Sequence, residues 1–108
     1  MAAFQPHLFS RTRDFSEAFG QALSSADAVF LAEIYPAREK PIAGITSDLI
    51  AASLSRAGRP AVWQGARPEL SEALCGFVRK GDVVITIGAG DITRTGPELK
   101  QRLESGKT

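Results

Sequence analysis

Apolar residues along this 108-residue chain fall into short continuous runs separated by stretches of helical spacing. Ala2 to Gln5 reads as the end of a strand. Between Arg13 and Leu23 the residues Phe15, Ala18, Phe19, Ala22 and Leu23 sit at i, i+3, i+4, i+7 and i+8, which predicts one face of a helix with Thr12 or Asp14 as N-cap. Ala28 to Ile34 (AVFLAEI) is almost continuously apolar, as in a strand covered on both faces. The loop YPAREKPIAGIT (Tyr35 to Thr46) carries two prolines and a glycine that forbid helix and break any strand. Ser47 then caps a predicted helix with Leu49, Ile50, Leu54 and Ala57 inward and Gly58 as its stop. Ala61 to Trp63 is a short strand candidate. Pro68 suits a helix N1 position, and Leu70, Ala73, Leu74, Phe77 and Val78 repeat the helical face up to Gly81. Asp82 to Ile87 (DVVITI) is the strongest strand pattern, being rich in β-branched residues. GAGD (Gly88 to Asp91) follows, then a helix around Pro97 to Leu103 and a frayed tail from Glu104 to Thr108.

Strand and helix therefore alternate four times. With strands of the buried type, that order predicts an α/β fold in three layers, a mainly parallel sheet between two helical layers. In such sheets ligands bind beyond the carboxyl ends of the strands. The segments PHLFSRTR, YPAREKPIAG and GAGD follow the first, second and fourth strands, so all three should emerge at one edge.

Composition narrows the class. The length fits one domain, residues 1–108. A hydrophobic fraction of 44% and a charged fraction of 23% suit a soluble globular protein. The net charge of +1 lacks the basic excess of a nucleic-acid binder. A single cysteine, Cys75, leaves no internal disulfide and no cysteine-based zinc site. No apolar run approaches the roughly 20 residues needed to span a bilayer, and a cytoplasmic location is the expectation.

His7 is the only histidine, which excludes a multi-histidine metal site and leaves two readings, a hydrogen-bonded turn residue or a ligand-positioning group. Arg11 offers a planar fork to a carboxylate or phosphate. As a cation at the start of a helix it opposes the local dipole, which favours a functional reading. Arg13 is expected to pair with Glu17 on the surface. GAGD is half of a dinucleotide fingerprint, but Asp91-Ile92-Thr93 lacks the third glycine and too little chain follows for a ribose-binding acid. Such a loop still lets a ligand approach the backbone closely. The tail SGKT ends like a phosphate loop, yet Gln101 stands where its first glycine belongs. Tyr35, Arg38 and Glu39 lie on the loop at the ligand edge as gating or supporting residues, and Trp63 and Cys75 are expected in the core.

Three motifs in register, FQPHLFSRTRDF, YPAREKPIAGITS and GDVVITIGAGDIT, resemble the C-terminal domain of the Mur ligases that join L-alanine to UDP-N-acetylmuramate, from Phe4 to about Leu103. The resemblance implies a Rossmann-like domain of a three-domain cytoplasmic enzyme of peptidoglycan synthesis. It implies that ATP and magnesium are held mainly by a central domain, that an acyl phosphate forms, and that the alanine amine attacks it. Carried over by motif, His7 and Arg11 lie at the alanine site with Arg11 on the carboxylate, and Gly88, Ala89, Gly90 and Asp91 line the pocket. Many members have a second arginine after the histidine, where this chain has Leu8. The upstream family segment DDYxHHP is absent, so the domain is expected to lack its first strand and helix, to expose a sheet edge open to homodimer formation, and to be inactive alone. The alternative is a free-standing, non-catalytic α/β ligand-binding or regulatory domain. A receiver-like version would need clustered acids at the strand ends, where only Asp91 qualifies.

Overall fold

The computed structural model describes residues 1–106. Four strands, β1 (Ala2–Phe4), β2 (Val29–Ala32), β3 (Trp63–Gly65) and β4 (Ile85–Ile87), alternate with four helices, α1 (Phe9–Leu23), α2 (Asp48–Arg56), α3 (Leu70–Cys75) and α4 (Thr95–Ser105). Every strand pair is parallel, in the order β3-β2-β1-β4. Because side chains alternate along a strand, each strand feeds two cores. Ala2, Phe4, Val29 and Leu31 pack with Leu23, Ile50 and Leu54 of α1 and α2. Ala3, Phe30 and Ala32 pack with Leu70 and Leu74 of α3, Ile92, and Leu99 of α4. The three-layer α/β/α arrangement is thus the expected one. From β1 the chain winds outward through β2 to β3, then β4 returns to the other side of β1. The crevice between β1 and β4 at their carboxyl ends is the switch point of the sheet.

Several boundaries differ from expectation, each for a local reason. α1 begins at Phe9, so Thr12 and Asp14 lie inside it rather than capping it. Thr12 instead donates from Oγ1 to the Leu8 carbonyl at 2.9 Å. Its buried face is Thr12, Gly20 and Leu23, while Phe15 is 54% exposed and Ala18 and Ala22 face solvent. The rotation follows from the crossing with α2, where Gly20 lets α1 approach Ser53 so closely that a β-carbon at Gly20 would lie 2.9 Å from the Ser53 carbonyl carbon. Ser47 stands at the N-cap of α2 without a side-chain cap bond. The Asp48 amide is bound by Thr46 Oγ1, and Ser47 Oγ accepts from Gln64. Ala57 lies past the end of α2, exposed at the C-cap.

β3 is Trp63–Gly65, two residues later than the apolar pattern suggested. A 3-10 turn at Arg67–Glu69 precedes α3, which stops at Cys75 and so excludes Phe77 and Val78. Gly81, at φ 93, belongs to the turn before β4. α4 runs from Thr95, two residues before Pro97, through Ser105, so Glu104 and Ser105 are helical rather than frayed. Gly106 is its C-cap, and the last two residues of the expected tail, Lys107 and Thr108, lie outside the described residues.

β4 departs most. Only Ile85–Ile87 pair as strand, at the sheet edge, with Val83, Ile85 and Ile87 68%, 58% and 38% exposed. Register places Ile85 beside Ala2 and Ile87 beside Phe4, on the face of α1 and α2, where neither helix reaches them. The sheet edge at β4 is open, with an apolar face uncovered beside it.

Candidate functional site at the switch point

Beyond β1 the chain runs Gln5-Pro6-His7-Leu8 and turns directly into α1. The turn is tight: Leu8 takes φ 72, ψ 140, a conformation sparsely populated by residues with a β-carbon. It is held from both sides. The Leu8 amide donates to the Tyr35 carbonyl at 2.9 Å, and the Leu8 carbonyl accepts from the Thr12 amide and hydroxyl. The Tyr35 amide in turn donates to the Pro6 carbonyl at 2.8 Å, so the segments after β1 and β2 continue as a parallel bridge between His7 and Tyr35.

The third loop joins them at Tyr35. The His7 and Tyr35 rings are stacked at 6.0 Å between centroids. Gly90 lies so flat against the Tyr35 ring that a β-carbon there would come within 2.7 Å of its Cδ1. Gly88, at φ 153, is equally constrained, since a β-carbon would meet the Gln5 carbonyl at 3.0 Å. Both glycines are required by close approach. The expected convergence of the three loops is therefore present, and Tyr35 is the residue on which it turns.

Two network residues escaped the sequence reading. Gln5, 3% exposed, donates from Nε2 to Asp91 Oδ1 at 2.9 Å and accepts from the Ile92 amide at 3.1 Å. Arg67, 8% exposed, pairs with Glu98 at 2.8 Å and with Asp91 at 3.4 Å. The signal for Gln5 was a lone amide closing an apolar strand. For Arg67 it was an arginine just after a strand, at the same edge as the other loops. Asp91 is thus engaged by Gln5 and Arg67, which anchor the Gly88–Gly90 loop to the end of β1 and to the turn before α3.

Arg11 occupies the third position of α1, exposed, and its guanidinium makes no hydrogen bond or ion pair among the described residues. Arg13 pairs with Asp14 at 2.9 Å instead of the expected Glu17, and both groups titrate further from neutrality for that bond. Glu39 crosses from the loop after β2 to the start of α1. Its two carboxylate oxygens accept from the Ser10 amide at 2.9 Å and the Ser10 hydroxyl at 2.5 Å. Ser10's hydroxyl and amide bonds hold the Glu39 carboxyl below the ordinary glutamate range, with the Phe9 amide and Arg13 adding to them. Arg38 is exposed. Among the described residues no group of three or more His, Cys, Asp or Glu is placed to hold a metal ion, and no helix is long and apolar enough to cross a membrane.

Chemically, the edge offers a free guanidinium, an imidazole on an aromatic shelf and a close-approach glycine loop. That set suits a small carboxylate-bearing ligand. No family model matches the chain. The chain is 52% identical over 96% of its length to a UDP-N-acetylmuramate–L-alanine ligase of Cutibacterium acnes. It is 47% identical over 95% of its length to one of Streptomyces avermitilis, and 47% over 94% to one of an Anaeromyxobacter species. It spans 22% of the length of each of these relatives.

Proposed function

Similarity running through nearly the whole chain ties it to the UDP-N-acetylmuramate–L-alanine ligases, and from that premise we propose that it serves as the amino-acid-binding, C-terminal domain of such a ligase in peptidoglycan synthesis. The observation that carries the reading is the free Arg11 guanidinium in the first turn of α1, beside the switch point. A planar fork is the natural partner of an amino-acid carboxylate. His7, stacked on Tyr35, flanks the amino acid, the Gly88-Ala89-Gly90 backbone closes the pocket, and Asp91 fixes that loop through Gln5 and Arg67.

The chain's part in the reaction is to present L-alanine with its amine facing the activated carboxyl of UDP-N-acetylmuramate. The tail SGKT does not make a phosphate loop, because Gln101 occupies the position of its first glycine. Nucleotide and metal belong to the remainder of the longer ligase, and the chain alone is inactive. A cytoplasmic site of action follows from those two nucleotide substrates. Apart from the rest of the ligase, the chain self-associates through the β4 edge.

The test is alanine-dependent ATP consumption by the longer ligase carrying Arg11→Ala. Loss of one charge-assisted pair should raise the KM for alanine by about one to two decades while leaving that for ATP unchanged. An unchanged KM for alanine overturns the reading.

A further inference from the structure

α1 begins without the groups that usually stabilise a helix start. No side chain caps it at Leu8, and no acidic residue lies in its first turn. Its N-terminal amides and the positive end of its dipole are therefore uncompensated within the helix, and Arg11 adds a like charge. The missing group arrives from elsewhere. Glu39, 29 residues further along, places one carboxylate oxygen on the Ser10 amide and the other on the Ser10 hydroxyl. The same loop is anchored at its start, where Tyr35 exchanges backbone bonds with Pro6 and Leu8. The turn that aims Arg11 is thus clasped by one loop at two points.

We propose that Glu39 is a positioning residue of the amino-acid carboxylate subsite, holding the first turn of α1, and with it Arg11, by standing in for the absent N-cap. Two roles can be separated from it. A carboxylate merely occupying the subsite would compete with the ligand, so its removal would tighten binding. A purely structural contact would alter stability and leave ligand parameters alone. Arg13 on α1 and Arg11 beside it, with Arg38 and Lys40 flanking Glu39 on its own loop, are the charged groups around the carboxylate. None of them bonds to it, so the Ser10 contacts set its geometry. The subsite role rests on the ligase reading; the clasp does not.

The experiment has two arms. In the chain itself, the Ser10 amide proton is followed by NMR through an acid titration. Its shift should move with a midpoint below the ordinary glutamate range, and Glu39→Gln should abolish that transition. A Ser10 amide that does not titrate overturns the clasp whatever the chain does. In the longer ligase, Glu39→Ala should raise the KM for alanine about tenfold with kcat and the KM for ATP unchanged, and Glu39→Gln, which keeps an acceptor, should recover part of it. Ser10→Ala, which leaves Glu39 intact, should raise it in the same direction. Combined with Arg11→Ala, Glu39→Ala should add less than twofold, because both act on one contact. An unchanged or lowered KM in Glu39→Ala, or full additivity with Arg11→Ala, overturns the positioning role. Should Arg11→Ala itself leave the KM for alanine unchanged while Ser10 titrates as expected, the ligase reading fails and the clasp stands.

Discussion

Replacing Gln5 with leucine tests how far the candidate site depends on one buried amide. Gln5 is 3% exposed and links the end of β1 to the loop after β4, across almost the whole sequence. Leucine keeps the approximate volume but removes both bonds. The Ile92 amide, in a residue 1% exposed, is then buried without a partner, at a cost of about 1–3 kcal/mol. Asp91 loses less. Its carboxylate is 35% exposed and keeps Arg67 at 3.4 Å, so water can replace the lost donor. Against a total stability of about 5–15 kcal/mol this is a large fraction. Each 1 kcal/mol should lower the Tm by roughly 4–8 °C in a domain near this size. Thermal and urea denaturation followed by circular dichroism would measure the change, with an unaltered urea slope showing that the denatured state is unaffected. Gln5→Glu separates the two bonds: it keeps the acceptor for Ile92 and sets a second carboxylate against Asp91, so its stability deficit should shrink as the pH falls and one of the pair is protonated. A Gln5→Leu protein melting at or above the parent temperature would refute the bridge.

Two further changes address the packing around this site. Gly20→Ala should destabilise the chain by about 1–3 kcal/mol, because the new methyl group meets Ser53 and forces α1 away from α2; Ser53→Gly in the same protein should restore part of the loss in urea denaturation. Ile85→Lys, on the exposed face of β4, should abolish self-association of the isolated chain in sedimentation velocity. Association that persists unchanged would place the contact elsewhere.

The parts of the fold readable from sequence were those in which burial and hydrophobicity coincide. Val29 to Ala32 is apolar at every position and buried at every position, so β2 and its double coverage followed from composition. β4 looked stronger still, yet β-branched composition reports strand propensity and not coverage, and its Ile85 and Ile87 lie exposed at the sheet edge. The inward face of α1 misled in the opposite sense. Thr12 and Gly20 are buried by a close helix crossing, and small or hydroxylated residues give no hydrophobic signal. At the site, the edge of the sheet and the three loops followed from topology alone. The connections within it did not, because Gln5 to Asp91, Arg67 to Glu98 and Ser10 to Glu39 each join residues whose proximity exists only after the sheet has formed.

The strained turn at Leu8 explains why those connections matter. A residue with a β-carbon at φ 72 costs about 1–3 kcal/mol and persists only where its surroundings over-determine it. Here the surroundings are two backbone bonds, from Leu8 to Tyr35 and from Thr12 to Leu8, with the Thr12 hydroxyl as a third. Their effect is to end β1 and begin α1 within four residues, so that the helix starts directly at the carboxyl end of the strand. It is the backbone of Leu8 that makes these contacts. The φ angle is fixed by them, and the loop after β2 supplies Tyr35 at one end and Glu39 at the other. The loop after β2 thus holds the first turn of α1, which carries Arg11, through the backbone of Tyr35 and the carboxylate of Glu39.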